Sequence, residues 1–196
     1  MNERRALVTG ASSGIGKVTS LYLCSKGYKV IGSSRKLSRL DSLTREANNK
    51  GEVFFPVELD INLRDGEKGC IEEVLPKLKA QHKHIDVLIN CAGISLPNKK
   101  PNKQYPQVNW LKTIEINLTS SFYCIQSVIP YMVKNNQGSI INITSINAEL
   151  GFPRNPAYVA SKGGLKMLGK ALAKDWGKYG IRVNNLGPGY IKTDMT

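Results

Sequence analysis

The sequence has no long uncharged apolar run, no Cys-x-x-Cys pair, only two histidines, and few acidic residues to balance its basic ones. Each shortage removes a class of protein. A bilayer-spanning helix needs roughly 18 or more consecutive apolar residues, and none occurs. Residues 1–5 pass into the first strand without the apolar centre of a secretory signal, so a soluble cytoplasmic chain with no membrane partner is expected. Cys24, Cys70, Cys91 and Cys124 are scattered, with no histidine at ligand spacing. That pattern favours reduced core thiols over a disulfide frame or a zinc site, and no metal is expected. His82 and His84 read as solvated loop histidines.

The charge is lopsided in one direction, with 28 Lys and Arg against 15 Asp and Glu, a net +13. Such an excess serves nucleic acid or another anionic ligand. Here the basic residues are spread over many segments without interleaved aromatics, so no nucleic-acid partner is expected. Lys162, Lys166, Lys170, Lys174 and Lys178 recur every fourth residue. At 3.6 residues per turn such a row winds round a helix, so its first member can face a cleft while its last faces water.

What is present is a chain of 196 residues, 41% apolar, enough for one sizeable core and read as one domain, 1–196. An apolar run at 6–8 precedes Thr9-Gly10-Ala11-Ser12-Ser13-Gly14-Ile15-Gly16, and a helix-like segment over 17–26 follows, with Val18, Leu21 and Tyr22 as its apolar face and Gly27 as its stop. Strand, glycine turn, helix is the order of a pyrophosphate site. The glycines Gly10, Gly14 and Gly16 let the backbone turn and approach the ligand, while the helix start, Ile15 included, offers free N–H groups and the positive dipole end. Ser12 and Ser13 add hydroxyls. A second strand over 28–32 delivers Ser34 and Arg35 about 20 residues beyond the glycines, where a dinucleotide fold meets the adenosine ribose. An acidic residue there would repel a 2′-phosphate, whereas a guanidinium binds one, so NADP(H) is favoured and NAD(H) is the alternative.

The β-α alternation continues. A polar helix over 36–50 leads to a strand over 52–59, whose end carries Asp60 and Ile61, a carboxylate and an apolar neighbour suited to an adenine pocket; helix N-capping by Asp60 or Asn62 is an equal reading. A helix over 66–83 is expected to bend near Pro76. The strand over 85–90 ends in Asn90-Cys91-Ala92-Gly93, where Ala92 and Gly93 let a nicotinamide ribose pass close and Asn90 can bond across strands. Residues 96–105 read as a mobile loop, and 107–133 as a helix with Trp110, Ile114, Leu118, Phe122, Ile125 and Ile129 as its apolar stripe and Asn117 in its middle. A fifth strand ends in Ser145, a helix opens at residue 156, and a sixth strand over 181–186 leads to Gly187-Pro188-Gly189.

Tyr158 and Lys162 lie four apart on the last helix and therefore on one face. An ammonium beside a phenol stabilises the phenolate, which suits a general acid–base. Lys162 can also hold a ribose hydroxyl, Ser145 can hydrogen-bond a carbonyl oxygen as it gains charge, and Asn117 can anchor a water on a proton path from Lys162.

Together Thr9-Gly10-x-x-x-Gly14-Ile15-Gly16, Asn90-x-Ala92-Gly93, Asn117, Ser145, Tyr158-x-x-x-Lys162 and Pro188-Gly189-x-x-x-Thr193 make the whole chain resemble a classical short-chain dehydrogenase/reductase, with the 3-oxoacyl-carrier-protein reductases and the sugar or polyol dehydrogenases nearest in general look. The resemblance implies an α/β fold, a Rossmann-like doubly wound parallel sheet of order 3-2-1-4-5-6 with helices on both faces. It implies hydride transfer between nicotinamide and a carbonyl or secondary alcohol, with Tyr158 as acid–base, Lys162 its tuner and ribose ligand, Ser145 orienting the carbonyl, and Asn117 in the proton relay. It further implies that Asp60 contacts adenine, that Pro188 and Gly189 border the cofactor, and that Ile191 and Thr193 hold the carboxamide. The substrate would be a small carbonyl or alcohol, carrier-bound in the reductase case, and the assembly a homodimer or homotetramer through the helices bearing Asn117 and Tyr158. A non-catalytic nucleotide-binding scaffold is the competing class. Cys91 stands where many members have asparagine, and Ser13 where some NADP-preferring members have a basic residue. The sequence stops at Thr196, whereas the family continues into a substrate-covering flap and a final strand, so an exposed sixth strand is expected.

Overall fold

A computed structural model of the chain describes residues 3–62, 71–82, 84–100 and 103–194. Six strands form one sheet: β1 (Arg5–Val8), β2 (Lys29–Ser34), β3 (Phe54–Glu58), β4 (Val87–Asn90), β5 (Gly138–Ile143) and β6 (Ile181–Leu186). Every pairing is parallel and the order is β3-β2-β1-β4-β5-β6. The sequence has the order reversal between β1 and β4 that gives an open α/β sheet its crevice at the carboxyl ends of the strands.

The helices are α1 (Gly14–Ser25), α2 (Asp41–Asn49), α3 (Ile71–His82), α4 (Gln107–Ile114), α5 (Ser120–Lys134), the short α6 (Asn147–Leu150) and α7 (Pro156–Trp176). Alternation along β1 sorts them into two layers. Leu7 points into a core shared with Leu75 and Leu78 of α3, Ile125 and Met132 of α5 and Leu172 of α7, while Ala6 and Val8 face Cys24 of α1 and Leu43 and Ala47 of α2. Both faces of the sheet are thus covered, which is why β1 and β4 are near-continuous apolar runs.

Two local expectations are corrected, and of the expected loop over 96–105 all but residues 101 and 102 are described. The face that α1 buries is Gly16, Ser20 and Cys24, while Val18 and Tyr22 are exposed. Small residues let this helix lie close on the sheet, and that requirement outranks side-chain hydrophobicity. The segment 107–133 is not one continuous α-helix: α4 ends at Ile114, and Glu115–Thr119 forms one wide π-helical turn before α5. A π-turn inserts a residue and shifts every later side chain by about 100°, and the expected stripe does not hold together: Ile125 and Ile129 are buried, while Trp110 before the turn and Phe122 after it are exposed. The loop after β4 carries its own framework. Asn98 accepts from the Lys100 N–H at 3.0 Å and donates to the Lys103 carbonyl at 2.8 Å, and the Tyr105 hydroxyl donates to the Leu96 carbonyl at 2.7 Å.

The histidines are corrected too. His82 closes α3 with its ring 4.7 Å from that of Phe55 and only 5% exposed. His84 contacts Arg5 and Asp86 at the opposite end of the sheet from the cleft. Pro76 lies inside α3 as expected, while residues 66–70 and 83 of the expected helix, with Cys70, lie outside the described residues. Cys24 and Cys124 are buried and stand outside any disulfide among the described residues. No helix among the described residues is long and apolar enough to cross a membrane.

Burial, and to a smaller extent the charge of Arg5, holds the His82 imidazole below its ordinary pKa. The folded state therefore resists protonating a group that the unfolded chain protonates near its ordinary value of about 6.5. Stability attributable to His82 is present above about pH 6.5 and is lost as the pH falls from there through the lower folded value. In urea titrations, His82→Phe is expected to flatten the loss between pH 7 and 5; an unchanged slope would remove this account.

Candidate active site

A cleft of about 270 Å³ runs along the carboxyl ends of the strands. Its walls come from β3 and β2 at one end and β5 at the other, and β2 to β5 is three strand spacings, about 15 Å at ~4.8 Å each, long enough for an extended dinucleotide.

The middle of the cleft is the glycine turn. Gly10 has φ +68°, and a Cβ there would stand 2.8 Å from the Cα of Ala92, so the turn and the end of β4 approach more closely than a side chain permits. Gly14 has φ +50°, and its Cβ would lie 3.1 Å from Thr193, which brings the segment after β6 down onto the turn. Gly14, Ile15 and Gly16 open α1, where the first N–H groups have no intrahelical acceptor. Ser13 is the N-cap but makes no capping hydrogen bond, and Ser12 lines the same wall. Free N–H groups, an uncommitted hydroxyl and a positive dipole end meet at a turn whose close contacts admit no Cβ at Gly10 or Gly16, and these residues fit a pyrophosphate.

At the β2 end, Ser34 is buried and Arg35 exposed, both on the cleft wall. Arg39, from the 3-10 turn Leu37–Leu40, stands on that wall as well and was not singled out from sequence. At the β3 end lie Asp60 and Ile61, and Asp60 accepts a hydrogen bond from the Asn62 N–H at 2.9 Å. The expected start of the helix over 66–83, and with it N-capping by Asp60 or Asn62, lies outside the described residues. Ala92 and Gly93 from just beyond β4 and Pro188, Gly189, Ile191 and Thr193 from beyond β6 add to the lining.

At the β5 end Ser145, Tyr158 and Lys162 share the wall. The Ser145 oxygen accepts from the Asn147 N–H at 3.1 Å, which orients it and leaves its O–H free to donate. Lys162 is 4% exposed; its ammonium donates to the Ile143 carbonyl at 2.7 Å and lies 5.8 Å from the centre of the Tyr158 ring. Burial pushes its pKa down to about 8, with the Cys91 thiol acting weakly the other way. The lysine row behaves as its spacing predicts, with Lys162 buried and Lys170, Lys174 and Lys178 exposed.

Two predicted residues stand behind the wall. Asn90 is 2% exposed and donates to Asn142 Oδ1 at 3.0 Å; Asn142 donates to Asn185 Oδ1 at 3.1 Å, and Asn185 to the Lys166 carbonyl of α7 at 2.9 Å. The three asparagines are in register across β4, β5 and β6 and form a ladder of amides ending on α7. Asn117, wholly buried in the π-turn, accepts from the Ile94 N–H at 2.8 Å and donates to the Ile94 carbonyl at 2.9 Å and to Ser161 Oγ at 3.0 Å. Its amide fastens the chain after Gly93 to α7. Neither Asn142 nor Asn185 was picked out from sequence, although an asparagine in an apolar strand at matching positions was the available signal.

A model of the short chain dehydrogenase family matches residues 4–196. The chain belongs to that family. A 3-oxoacyl-[acyl-carrier-protein] reductase FabG of Thermotoga maritima is 38% identical over 190 residues, 97% of this chain and 75% of that protein. A gluconate 5-dehydrogenase of Gluconobacter oxydans is 33% identical over 192 residues, 98% of this chain and 73% of that one. Among solved structures, a gluconate 5-dehydrogenase from Burkholderia cenocepacia J2315 in complex with NADP and tartrate has a TM-score of 0.89 at 31% identity, covering all of this chain and 74% of its own. This short-chain dehydrogenase is thus an oxidoreductase by family, and its sheet has the order found in its structural relatives.

Keeping an ammonium in the cleft opposes folding, because the folded pKa of about 8 is below the ordinary 10.5. The unfolded chain holds the extra proton between those values, so stability rises as the pH climbs from about 8 to 10.5. Lys162→Met is expected to unfold at higher urea than the native chain at pH 7, by about 1–2 kcal/mol after loss of the Ile143 hydrogen bond, with the gap closing by about pH 10.5. A gap that is constant with pH would contradict a buried ammonium.

Proposed function

We propose that this chain is an NADP(H)-dependent oxidoreductase that interconverts a carbonyl and a secondary alcohol, in the manner of a 3-oxoacyl-carrier-protein reductase. One observation carries the reading: Tyr158, Lys162 and Ser145 line the same cleft as the glycine turn and Arg35. When bound, the nicotinamide supplies or takes up the hydride. The protein's part is to place and protonate the substrate. Ser145 donates its free O–H to the substrate oxygen, and the Tyr158 hydroxyl, next to that oxygen, gives or takes the proton as charge develops. The Lys162 ammonium favours the phenolate and holds a ribose hydroxyl, and Asn117 belongs to the path that carries protons from Lys162 to solvent.

Arg35 and Ser34 would hold the 2′-phosphate and Asp60 with Ile61 the adenine, while Ile191 and Thr193 would face the carboxamide. The basic surface suits an acidic carrier protein bearing the substrate. A sugar or polyol dehydrogenase is the second reading, supported by the gluconate 5-dehydrogenase relative. Assembly as a homodimer or homotetramer is supported by the exposed Val108, Trp110 and Leu111 of α4 and Phe122 and Tyr123 of α5.

With NADPH and a panel of 3-oxoacyl thioesters and keto-sugars, turnover followed by absorbance is expected to fall roughly 10²–10⁴-fold in Tyr158→Phe. A nucleotide-holding scaffold would show no turnover in the native chain. For the cofactor, Arg35→Asp is expected to weaken NADPH binding at least about tenfold and to improve NADH binding, read by fluorescence titration. Unchanged NADPH affinity would move the 2′-phosphate elsewhere.

A further inference from the structure

The turn leading into α7 contains a backbone anomaly. Pro153 and Arg154 are its central pair, and Arg154 has φ +61°. Proline followed by a left-handed residue is the pattern of a type II turn, whose second place suits glycine or asparagine because a Cβ is strained there. The other non-glycine residue with positive φ among the described residues is Asn136, a type that tolerates it. An arginine held in this conformation is the kind of outlier that marks function.

The surroundings hold it from two sides. The Asn98 N–H donates to the Arg154 carbonyl at 2.7 Å, and Asn155, 2% exposed, donates to Ser95 Oγ at 2.8 Å. These bonds stitch the loop leaving β4, whose Ile94 lines the cleft, to the turn that precedes α7 and its cleft residue Tyr158. The Arg154 side chain is exposed and makes no hydrogen bond or ion pair with any described residue.

We propose that Arg154 is a specificity residue that binds an anionic group, a carboxylate or a phosphate, carried by the substrate away from the carbon that reacts. This rests on Tyr158 and Ser145 marking the reacting end. A guanidinium offers two parallel N–H donors matched to either anion, and Arg154 precedes Tyr158 by four residues in the turn that leads into α7. Only a charged fork, and not the glycine the turn prefers, can do this.

Two substrate pairs separate the sources of the anion: 5-ketogluconate against L-sorbose, its neutral counterpart, and acetoacetyl-CoA against the neutral acetoacetyl-N-acetylcysteamine thioester. Binding of each to the NADP-loaded chain is measured by calorimetry, alongside turnover. Arg154→Asn keeps the left-handed turn, so its thermal midpoint is expected to equal or exceed the native one. It is expected to weaken the anionic member of one pair about 10–30-fold while changing the neutral member less than twofold, and Arg154→Lys is expected to recover part of the loss. Equal losses within both pairs, no loss for either anion, or no binding of either anion by the native chain would overturn the proposal. Absence of turnover in the native chain with the binding contrast intact would defeat the Tyr158 reading and leave the anion site standing.

Discussion

The arrangement depends on one buried charge. A lysine ammonium at 4% exposure is unfavourable on its own, since burial alone takes its pKa down to about 8. It persists because β5 ends where its last carbonyl, that of Ile143, can accept from the ammonium. That contact requires α7 to lie close to the sheet. Glycines allow it: a Cβ on Gly164 would stand 2.9 Å from Leu118 of the π-turn, and one on Gly169 would collide with the Asn185 amide. Glycine weakens a helix interior by up to about 1 kcal/mol each, so α7 gives up intrinsic stability for proximity.

Proximity then has to be held, and amides hold it. The ladder Asn90, Asn142, Asn185 crosses three strands and ends on an α7 carbonyl, while Asn117 ties the chain after Gly93 to Ser161, whose hydroxyl donates to the Tyr158 carbonyl at 2.8 Å. Such networks are favourable only when nearly all their groups are satisfied. Asn117 uses both ends of its amide, and Asn90 leaves a single acceptor unpaired. The π-turn is what aims Asn117 at Ile94; a regular turn would point that side chain about 100° away.

Much of this was legible. The βα alternation predicts the parallel sheet because buried parallel strands need apolar runs, and Tyr158 and Lys162 share a face because four residues make about one turn. What escaped had a common cause, that contacts between distant segments overrule local pattern. Val18 and Tyr22 look like the inner face of α1, yet close packing selects Gly16, Ser20 and Cys24. His82 looks solvated until Phe55 is found against it, 27 positions away in sequence. The π-turn leaves no mark in hydrophobic spacing, and the asparagine ladder exists only once β4, β5 and β6 are placed side by side.

The site divides its residues by commitment. Ser145 sits just past the end of β5, Asn117 in the π-turn and Lys162 on α7, all largely buried and each hydrogen-bonded to main chain. These bonds hold the three side chains without a ligand, which is what the proposed proton transfer would require, because a displacement of about 1 Å is enough to lose much of the rate. Arg35, Arg39 and Arg154 are the reverse, exposed and without an ion pair among the described residues, on segments that follow the strands. Uncommitted guanidiniums do little for the fold, since exposed pairs contribute at most about 1 kcal/mol, so they can be exchanged without disturbing the buried set. On the proposed function, chemistry would fall to the buried set and recognition to the exposed one, and a fold built this way can keep its reaction while its substrate changes.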